Sequence, residues 1–558
     1  MKQQSCILVA VLLADVAFGA GAERRSAPQI SIVPEPVTLE QREGHFRVTA
    51  ETSVVAGNTA RAEAVKLIDY LAPAMGYRLK LSDGSSSRQD AIHLHIEPSA
   101  RDRLGEEGYE LEVTSRSVLI TAGEPAGLFY GVQTLRQLLP PAIFRTERVR
   151  GIEWTVPCVR IVDHPRFQWR GLLIDPARHF IAVQDVLRFI DLMAIHKLNR
   201  LQIHLTDNEG WRIEIKKYPK LTELGSKMDW NLRHQGGSGP RCIGFYTQDD
   251  IRRIVRYAAE RHVTVVPEIE MPYHTGAAIV AYPELGIATG QLADLSPVQR
   301  WVKTKGLIAP RPATVAFLQD VLSEVIELFP SEHIHIGGDE ANIAHWTNDP
   351  EMQAQMKRLK LANAHELHSW FIRQMDAFLT EKGRRLVGWD EILQGGLAPG
   401  ATVMSWRGTA GGIAAAKAGH DVVMAPTSHT YFDYRQAPDE TGLGRSVINV
   451  QKVYTFEPIP AELGTEQSKH VLGGQGQLWG ELIADQRRRE FMTYPRACAL
   501  SEVLWSPRKD RIFTQFLPRL VRHLERLRAA GVNYRPLNRN LIESMTRPAQ
   551  NRAASGNN

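Results

Sequence analysis

Residues 314–341, TVAFLQDVLSEVIELFPSEHIHIGGDEA, carry one full unit of the repeat from which the fold is read. Apolar residues recur at helical spacing from Thr314 to Leu328, and a short strand of alternating His and Ile follows at 333–336. The strand stops at Gly337-Gly338 and delivers two adjacent carboxylates, Asp339 and Glu340. Successive side chains on an extended backbone leave in different directions, so these acids are not placed to act as equivalent catalysts across one bond. They invite two different tasks.

The same rhythm repeats in both directions. Short apolar strands are expected at 171–174, 200–205, 263–269, 333–336, 386–389, 402–406, 422–425 and 471–479, with helical patterns between them at 183–196, 249–261, 314–328 and 365–382. Eight alternating units predict an α/β fold, a (β/α)8 TIM barrel over residues 165–540 that includes a final helix at 514–530 stopped by Gly531. Ahead of it, residues 28–160 read as a smaller α+β domain. Tyr109, Leu111 and Val113 alternate with polar residues, as do Val118 and Ile120 beyond a Ser-Arg-Ser turn. Helical spacing links Val65, Ile68 and Leu71, and again Leu128, Val132, Leu135 and Leu139. An antiparallel sheet with helices on one face is the expectation there.

Composition narrows the class of protein. At 558 residues the chain is long for one core at ~150 residues per domain, and two domains are expected. The 67 basic and 62 acidic side chains leave only +5, too little to argue for nucleic acid or an anionic membrane as partner. Residues 1–22 resemble an export signal, with Lys2, an apolar run over 7–13 broken later by Asp15, and Ala20-Gly21-Ala22 as a cleavage site. No later stretch approaches the ~18 uninterrupted apolar residues of a membrane span. A periplasmic or secreted location follows, and the absence of any Asn-x-Ser/Thr sequon fits a bacterial exported protein. Beyond the signal, Cys158, Cys242 and Cys498 allow at most one internal disulfide, and no spacing resembles a metal site. The tail over 541–558 is polar and is expected to be disordered.

A barrel of this kind gathers its chemistry at the C-terminal ends of its strands. The first strand offers Arg170 at its start and Asp175, Arg178 and His179 at its end. The second offers His204, Asp207 and Trp211, and the third Glu268, Glu270 and His274. Asp339 and Glu340 end the fourth; Trp389, Trp406 and Trp479 end three more, the last followed by Glu481, and Tyr431 and Asp433 follow the seventh. Tryptophan faces with Arg, Asp and Glu between them describe a sugar pocket, since the rings pack on a pyranose and the charged groups bind adjacent hydroxyls. Gly337-Gly338 is a poor phosphate cradle because two acids follow it. His204, Asp207, Glu270 and His274 are read as a charge network beside Arg170 in preference to metal ligands.

Those residues carry a resemblance. Through Trp169-Arg170-Gly171-Leu172-Leu173-Ile174-Asp175, Arg178-His179-Phe180, Gly210-Trp211-Arg212, Pro267-Glu268-Ile269-Glu270-Met271-Pro272, His335-Ile336-Gly337-Gly338-Asp339-Glu340, Gly388-Trp389-Asp390-Glu391 and Gln477-Leu478-Trp479-Gly480-Glu481, the chain resembles the family 20 glycoside hydrolases, β-N-acetylhexosaminidases. The resemblance implies an exo-acting retaining hydrolase without cofactor or metal, in which the 2-acetamido oxygen of the substrate replaces an enzymic nucleophile. It further implies Glu340 as general acid and base, kept protonated beside Asp339 by aromatic burial, and Asp339 as orienter of the acetamido N–H. Tyr431 would bond the acetamido oxygen, and Trp389, Trp406 and Trp479 would box its methyl group. Arg170 and Glu481 would bind the 3- and 4-hydroxyls, Asp433 would reach the 6-hydroxyl, and Asp207, Glu270 and His274 would position the acid. Tyr273, where many relatives carry Gly, and Glu270, the longer of the acids found at its position, depart from the pattern. The partner implied is a glycan ending in a β-linked N-acetylhexosamine, and a homodimer is compatible with these features. Two other readings stay open at this level: a conventional retaining β-glycosidase using a nucleophile such as Glu268, and a carbohydrate-binding barrel without catalysis.

Overall fold

The computed structural model describes residues 30–538 apart from 84–88, 229–241, 288–291, 304–305, 441 and 445. The expected signal at 1–22 and the expected disordered tail at 541–558 lie outside the described residues. Seven strands build the first sheet: β1 (Thr38–Val48), β2 (Ser53–Ala56), β3 (Lys80–Ser82), β4 (Ala91–Ile96), β5 (Tyr109–Val113), β6 (Ser117–Ala122) and β7 (Trp154–Asp163), in the order β1-β7-β5-β6-β4-β2-β3. The predicted hairpin is present, with Leu111 opposite Ile120 and Val113 opposite Val118.

The sheet is mixed, which corrects the antiparallel expectation: β2 pairs parallel with β3 and β4, and β4 parallel with β6. The cause is in the connections. The helix Arg61–Met75 lies between β2 and β3 and lets them run in the same sense, while β5 returns antiparallel after β4 and its hairpin turns the chain back, so that β6 runs parallel to β4. That first helix buries Ala64, Leu67, Ile68 and Leu71, while Val65, expected on the apolar face, is 38% exposed. The helix Pro125–Leu138 is buried almost all round, as expected of an element covered on two sides.

Eight parallel strands then close a barrel: β8 (Trp169–Ile174), β9 (Arg200–His204), β12 (Thr264–Glu268), β13 (His333–His335), β14 (Arg385–Trp389), β15 (Thr402–Ser405), β16 (Val422–Met424) and β17 (Val471–Leu478). Between β9 and β12 the short pair β10 (Thr206–Asp207) and β11 (Gly210–Trp211) forms a two-stranded ribbon at the barrel mouth. All eight expected strands are found, and the helices Val183–Ile195, Gln248–Ala259, Pro312–Leu328, Ala364–Glu381 and Phe513–Ala529 match the expected ones closely. The barrel interior is apolar around Leu173, Val266, Val387, Met404 and Val423, but a polar thread crosses it. Gln475 donates to Gln202 at 2.6 Å and accepts from Trp169 Nε1 at 3.0 Å, and Gln202 donates to Glu268 at 2.7 Å. No helix among the described residues is long and apolar enough to cross a membrane, and Cys158, Cys242 and Cys498 are buried and take part in no disulfide among the described residues.

Arg170 belongs to this architecture and not to a sugar site. It lies at the start of β8, at the opposite end of the barrel from the strand ends that carry the acids, and is fully buried. Its guanidinium holds both oxygens of Glu107 in the first domain at 2.8 Å, and donates to the carbonyls of Phe167 and Lys197 at 2.8 Å. Nearby, Lys197 Nζ donates to Asp163 Oδ2 at 2.7 Å and Trp505 Nε1 to Asp163 Oδ1 at 2.8 Å, a second buried tie from barrel to sheet. Removing one partner of a buried pair strands the other charge, at ~3–5 kcal/mol. Arg170→Met should therefore lower the unfolding free energy by about that amount in chemical denaturation; an unchanged midpoint would contradict the role assigned to Arg170.

Candidate active site

The turn after β13 is shaped for close approach. Gly337, Gly338 and Glu340 have φ of 70°, 96° and 51°, in the left-handed region that costs an L side chain. At Gly337 a Cβ would also collide with the carboxyl of Glu270, so the position admits only glycine. The turn separates the adjacent acids: the Asp339 side chain is 12% exposed and Glu340 54%. The aromatic burial expected around Glu340 is thus not found; it stands at the mouth while Asp339 sits deeper.

Between them and the barrel lies His274. Its Nδ1 is 3.2 Å from Asp207, and its Nε2 is 3.2 Å from Glu340 and 3.5 Å from Asp339. Burial opposes charge on this ring, but Asp207 and Asp339 outweigh it and hold its pKa well above the usual histidine range. The chain of contacts continues inward, with His204 lying 3.0 Å from Asp207 and 2.7 Å from Glu268. Those carboxylates overcome burial and raise His204 to about 10. Tyr273 lies beside His274 with the rings tilted by 57° and their centroids 4.5 Å apart, and it packs on the cluster around Trp346.

The arginine at the cavity is Arg178 and not Arg170. It is 3.0 Å from Asp175, 2.6 Å from Asp207, and lies over the Trp479 ring at 5.3 Å. Strand direction was the missed signal: Arg178 follows the C-terminal end of β8 and Arg170 opens it. Glu270 is buried, and burial together with Asp339 and Glu268 pushes its pKa well above the carboxylate range. Trp211, also expected at a strand end, is buried and donates Nε1 to Ile213 O at 2.7 Å. His335 is buried with Nδ1 3.1 Å from Glu268 and its ring against Trp389, so it braces the strand.

These residues surround a cavity of about 200 Å3 lined by Arg178, His274, Asp339, Glu340, Trp389, Trp406, Tyr431, Asp433, Tyr434, Leu443, Gly444, Trp479 and Glu481. Two of the indoles give their N–H to carboxylates, Trp389 to Glu268 at 3.0 Å and Trp406 to Glu391 at 2.9 Å, and Trp479 hydrogen-bonds the Tyr431 hydroxyl. The ring faces are thereby fixed for apolar contact. Trp389 and Trp479 meet at 5.7 Å and 47°, and Trp406 lies nearly parallel to Tyr431 at 6.2 Å. Burial and Asp433 raise the Tyr431 phenol well above its usual range, so it serves as a donor. Tyr434, Leu443 and Gly444 were not foreseen; they come from the long connection after β16, whose irregular sequence has no periodic signal.

Deep in this cavity three carboxyl oxygens, Asp339 Oδ1, Asp433 Oδ1 and Glu481 Oε2, have no protein hydrogen-bond partner. Glu268, the alternative nucleophile, is fully buried and engaged by Gln202, His204, His335 and Trp389. It does not reach the cavity wall.

Comparison with known proteins agrees with this geometry. The family model described as "Glycosyl hydrolase family 20, catalytic domain" matches residues 167–508, and "Glycosyl hydrolase family 20, domain 2" matches 29–164. A β-hexosaminidase of Porphyromonas gingivalis is 39% identical over 536 residues, covering 94% of this chain and 67% of that one. A β-N-acetylhexosaminidase structure from Streptomyces coelicolor superposes with a TM-score of 0.80 at 31% identity, covering 92% of this chain and 99% of that one. An exo-β-N-acetylglucosaminidase from Vibrio harveyi, in complex with N-acetylglucosamine, gives 0.80 at 32% identity, covering 93% and 81%. Sequence, barrel and companion sheet converge on one assignment: the chain belongs to glycosyl hydrolase family 20.

Proposed function

We propose that this protein releases single terminal, non-reducing β-linked N-acetylhexosamines by substrate-assisted hydrolysis with retention. The observation that carries this reading is the set of three unpartnered buried carboxyl oxygens inside an aromatic cavity. Leaving a buried acceptor unsatisfied costs ~1–3 kcal/mol, and the hydroxyls and amide N–H of an acetamido sugar supply the matching donors. The cavity volume of about 200 Å3 lies below the ~300–1,000 Å3 typical of larger ligands, which suits one sugar ring and an exo mode. Relatives solved with N-acetylglucosamine, from Vibrio harveyi and Streptomyces plicatus, support the same substrate class.

In the reaction, Glu340 at the mouth gives its proton to the leaving oxygen while the acetamido oxygen attacks C1. The C1–O bond to the leaving group breaks and an oxazolinium ring forms. Buried Asp339 accepts from the acetamido N–H and stabilises the positive charge of that ring, and Tyr431 donates to the attacking oxygen. Glu340 then takes a proton from water as it opens the ring at C1. The His274 imidazolium, shared by Asp207, Asp339 and Glu340, fixes both acids. Glu481, Asp433 and Arg178 bind the ring hydroxyls. The sealing of Glu268 argues against a conventional enzymic nucleophile. Chitooligosaccharides as substrates, and export to the periplasm or medium through residues 1–22, complete the reading.

Asp339→Asn should reduce kcat on an aryl β-N-acetylglucosaminide by ~10²–10³ or more, the scale for a lost transition-state electrostatic contact, with little change in thermal midpoint. A defect confined to KM would sink the role of Asp339. Glu340→Gln should abolish chitobiose hydrolysis, and a GlcNAc-thiazoline should inhibit the wild type strongly; failure of the thiazoline with efficient trapping by a 2-fluoro glycoside would restore the enzymic nucleophile.

Glu391 gives a pH test. Its burial, then Asp339 and Asp390, raise it to about 7 against the opposing hydrogen bond from Trp406. A folded-state value above the ordinary ~4.3 means protonated Glu391 stabilises the fold fully below that pH, and the contribution is lost as pH rises through about 7. Relative to Glu391→Gln, the wild type should lose stability on the order of 3 kcal/mol between these limits in urea titrations. Parallel curves would refute the shift.

A further inference from the structure

Far from the sugar cavity, three helices on the outside of the barrel bring together donors that no catalytic step uses. His196 caps the C-terminus of Val183–Ile195, Cys498 lies in Arg496–Trp505 and His523 in Phe513–Ala529. All three side chains are fully buried. His196 Nε2 lies 2.9 Å from His523 Nε2 and 3.4 Å from Cys498 Sγ, and the three donor atoms fall within 4.8 Å of one another.

The proton arrangement of this cluster is incomplete. His196 Nδ1 donates to Leu192 O at 2.6 Å, so its Nε2 carries only a lone pair. Both His523 Nε2–H and the Cys498 thiol converge on that single lone pair, while His523 Nδ1 is buried without a partner. Tyr494, whose ring stacks on His196 at 5.0 Å, has a buried hydroxyl equally without one. The three donors are sealed from solvent.

We propose that His196, His523 and Cys498 form a binding site for a monovalent soft cation, Cu(I), separate from the sugar site. Thiolate and imidazole suit d10 ions such as Cu(I) and Zn(II). A tetrahedral ion holds nitrogen at ~2.0 Å and sulfur at ~2.3 Å, which spaces ligand atoms ~3.3–3.6 Å apart, so the imidazole pair need open by only ~0.4 Å. Charge decides between the ions. Binding displaces the thiol proton, so Cu(I) leaves a neutral site and Zn(II) a buried net charge of +1. Among the neighbouring charges Arg526 acts on His523 and Glu502 on Cys498, so they oppose one another and the thiolate charge decides.

The test is anaerobic incubation of the full chain with Cu(I) in the presence of bicinchoninate, gel filtration, and metal counting. One copper should be retained per chain, with a higher thermal midpoint and thiolate-to-copper ultraviolet absorption. Cys498→Ala and, as a second variant, His523→Gln should lose the copper while keeping wild-type glycosidase activity; a Cys158→Ser, Cys242→Ser double variant should keep it. Absence of copper from the wild type, equal retention in Cys498→Ala, or retention of zinc but not copper would overturn the assignment and leave hydrogen-bonded packing only.

Discussion

The constraint on which the site depends is the shortage of positive charge among its buried acids. Arg178, His204 and His274 are the cations of the network, and they face Asp175, Asp207, Glu268 and Asp339. The cations do not compensate every acid: Glu270, Asp433, Glu391 and Glu481 are all raised, each chiefly by burial, although His274 acts against the shift at Glu270 and Arg178 at Glu481. Opposite charges at ~4 Å interact by ~4 kcal/mol at an effective dielectric constant near 20, so moving one cation redistributes protons across the cavity. His274 is the cation nearest the reaction, and it links the barrel to both members of the Asp339-Glu340 pair.

Much of this was legible in the sequence, and the failures share a cause. All eight barrel strands follow from short apolar runs ending in polar or aromatic residues, because parallel strands buried on both faces leave that signature. Asp339, Tyr431, Trp389, Trp406, Asp433, Trp479 and Glu481 could be named from strand ends alone, and all line the cavity. Arg170 was misplaced because a motif names a stretch without saying which end of the strand faces the ligand. The parallel pairs of the first sheet and the half-exposure of Glu340 depend on connections and on a left-handed turn, neither of which has a periodic trace. Nor can linear spacing reveal His196 beside Cys498, 302 positions apart.

Binding and support are kept apart in the barrel. The polar thread of Trp169, Gln475, Gln202 and Glu268 runs up its axis to the N–H of Trp389. A buried polar network is tolerable when its members are satisfied, and it then sets side-chain orientation more sharply than apolar packing. The indole that meets the sugar is in this way aligned by groups well below it.

The ties at the barrel's other end carry a further consequence. Arg170 and Lys197 are barrel cations whose counter-charges, Glu107 and Asp163, are supplied by the preceding sheet. An isolated barrel would lose both ion pairs and expose to water the face that the sheet now covers, which ties the stability of the barrel to the smaller domain. Lineages of this architecture could exchange mouth loops freely, whereas shedding the sheet would first require both cations to be replaced.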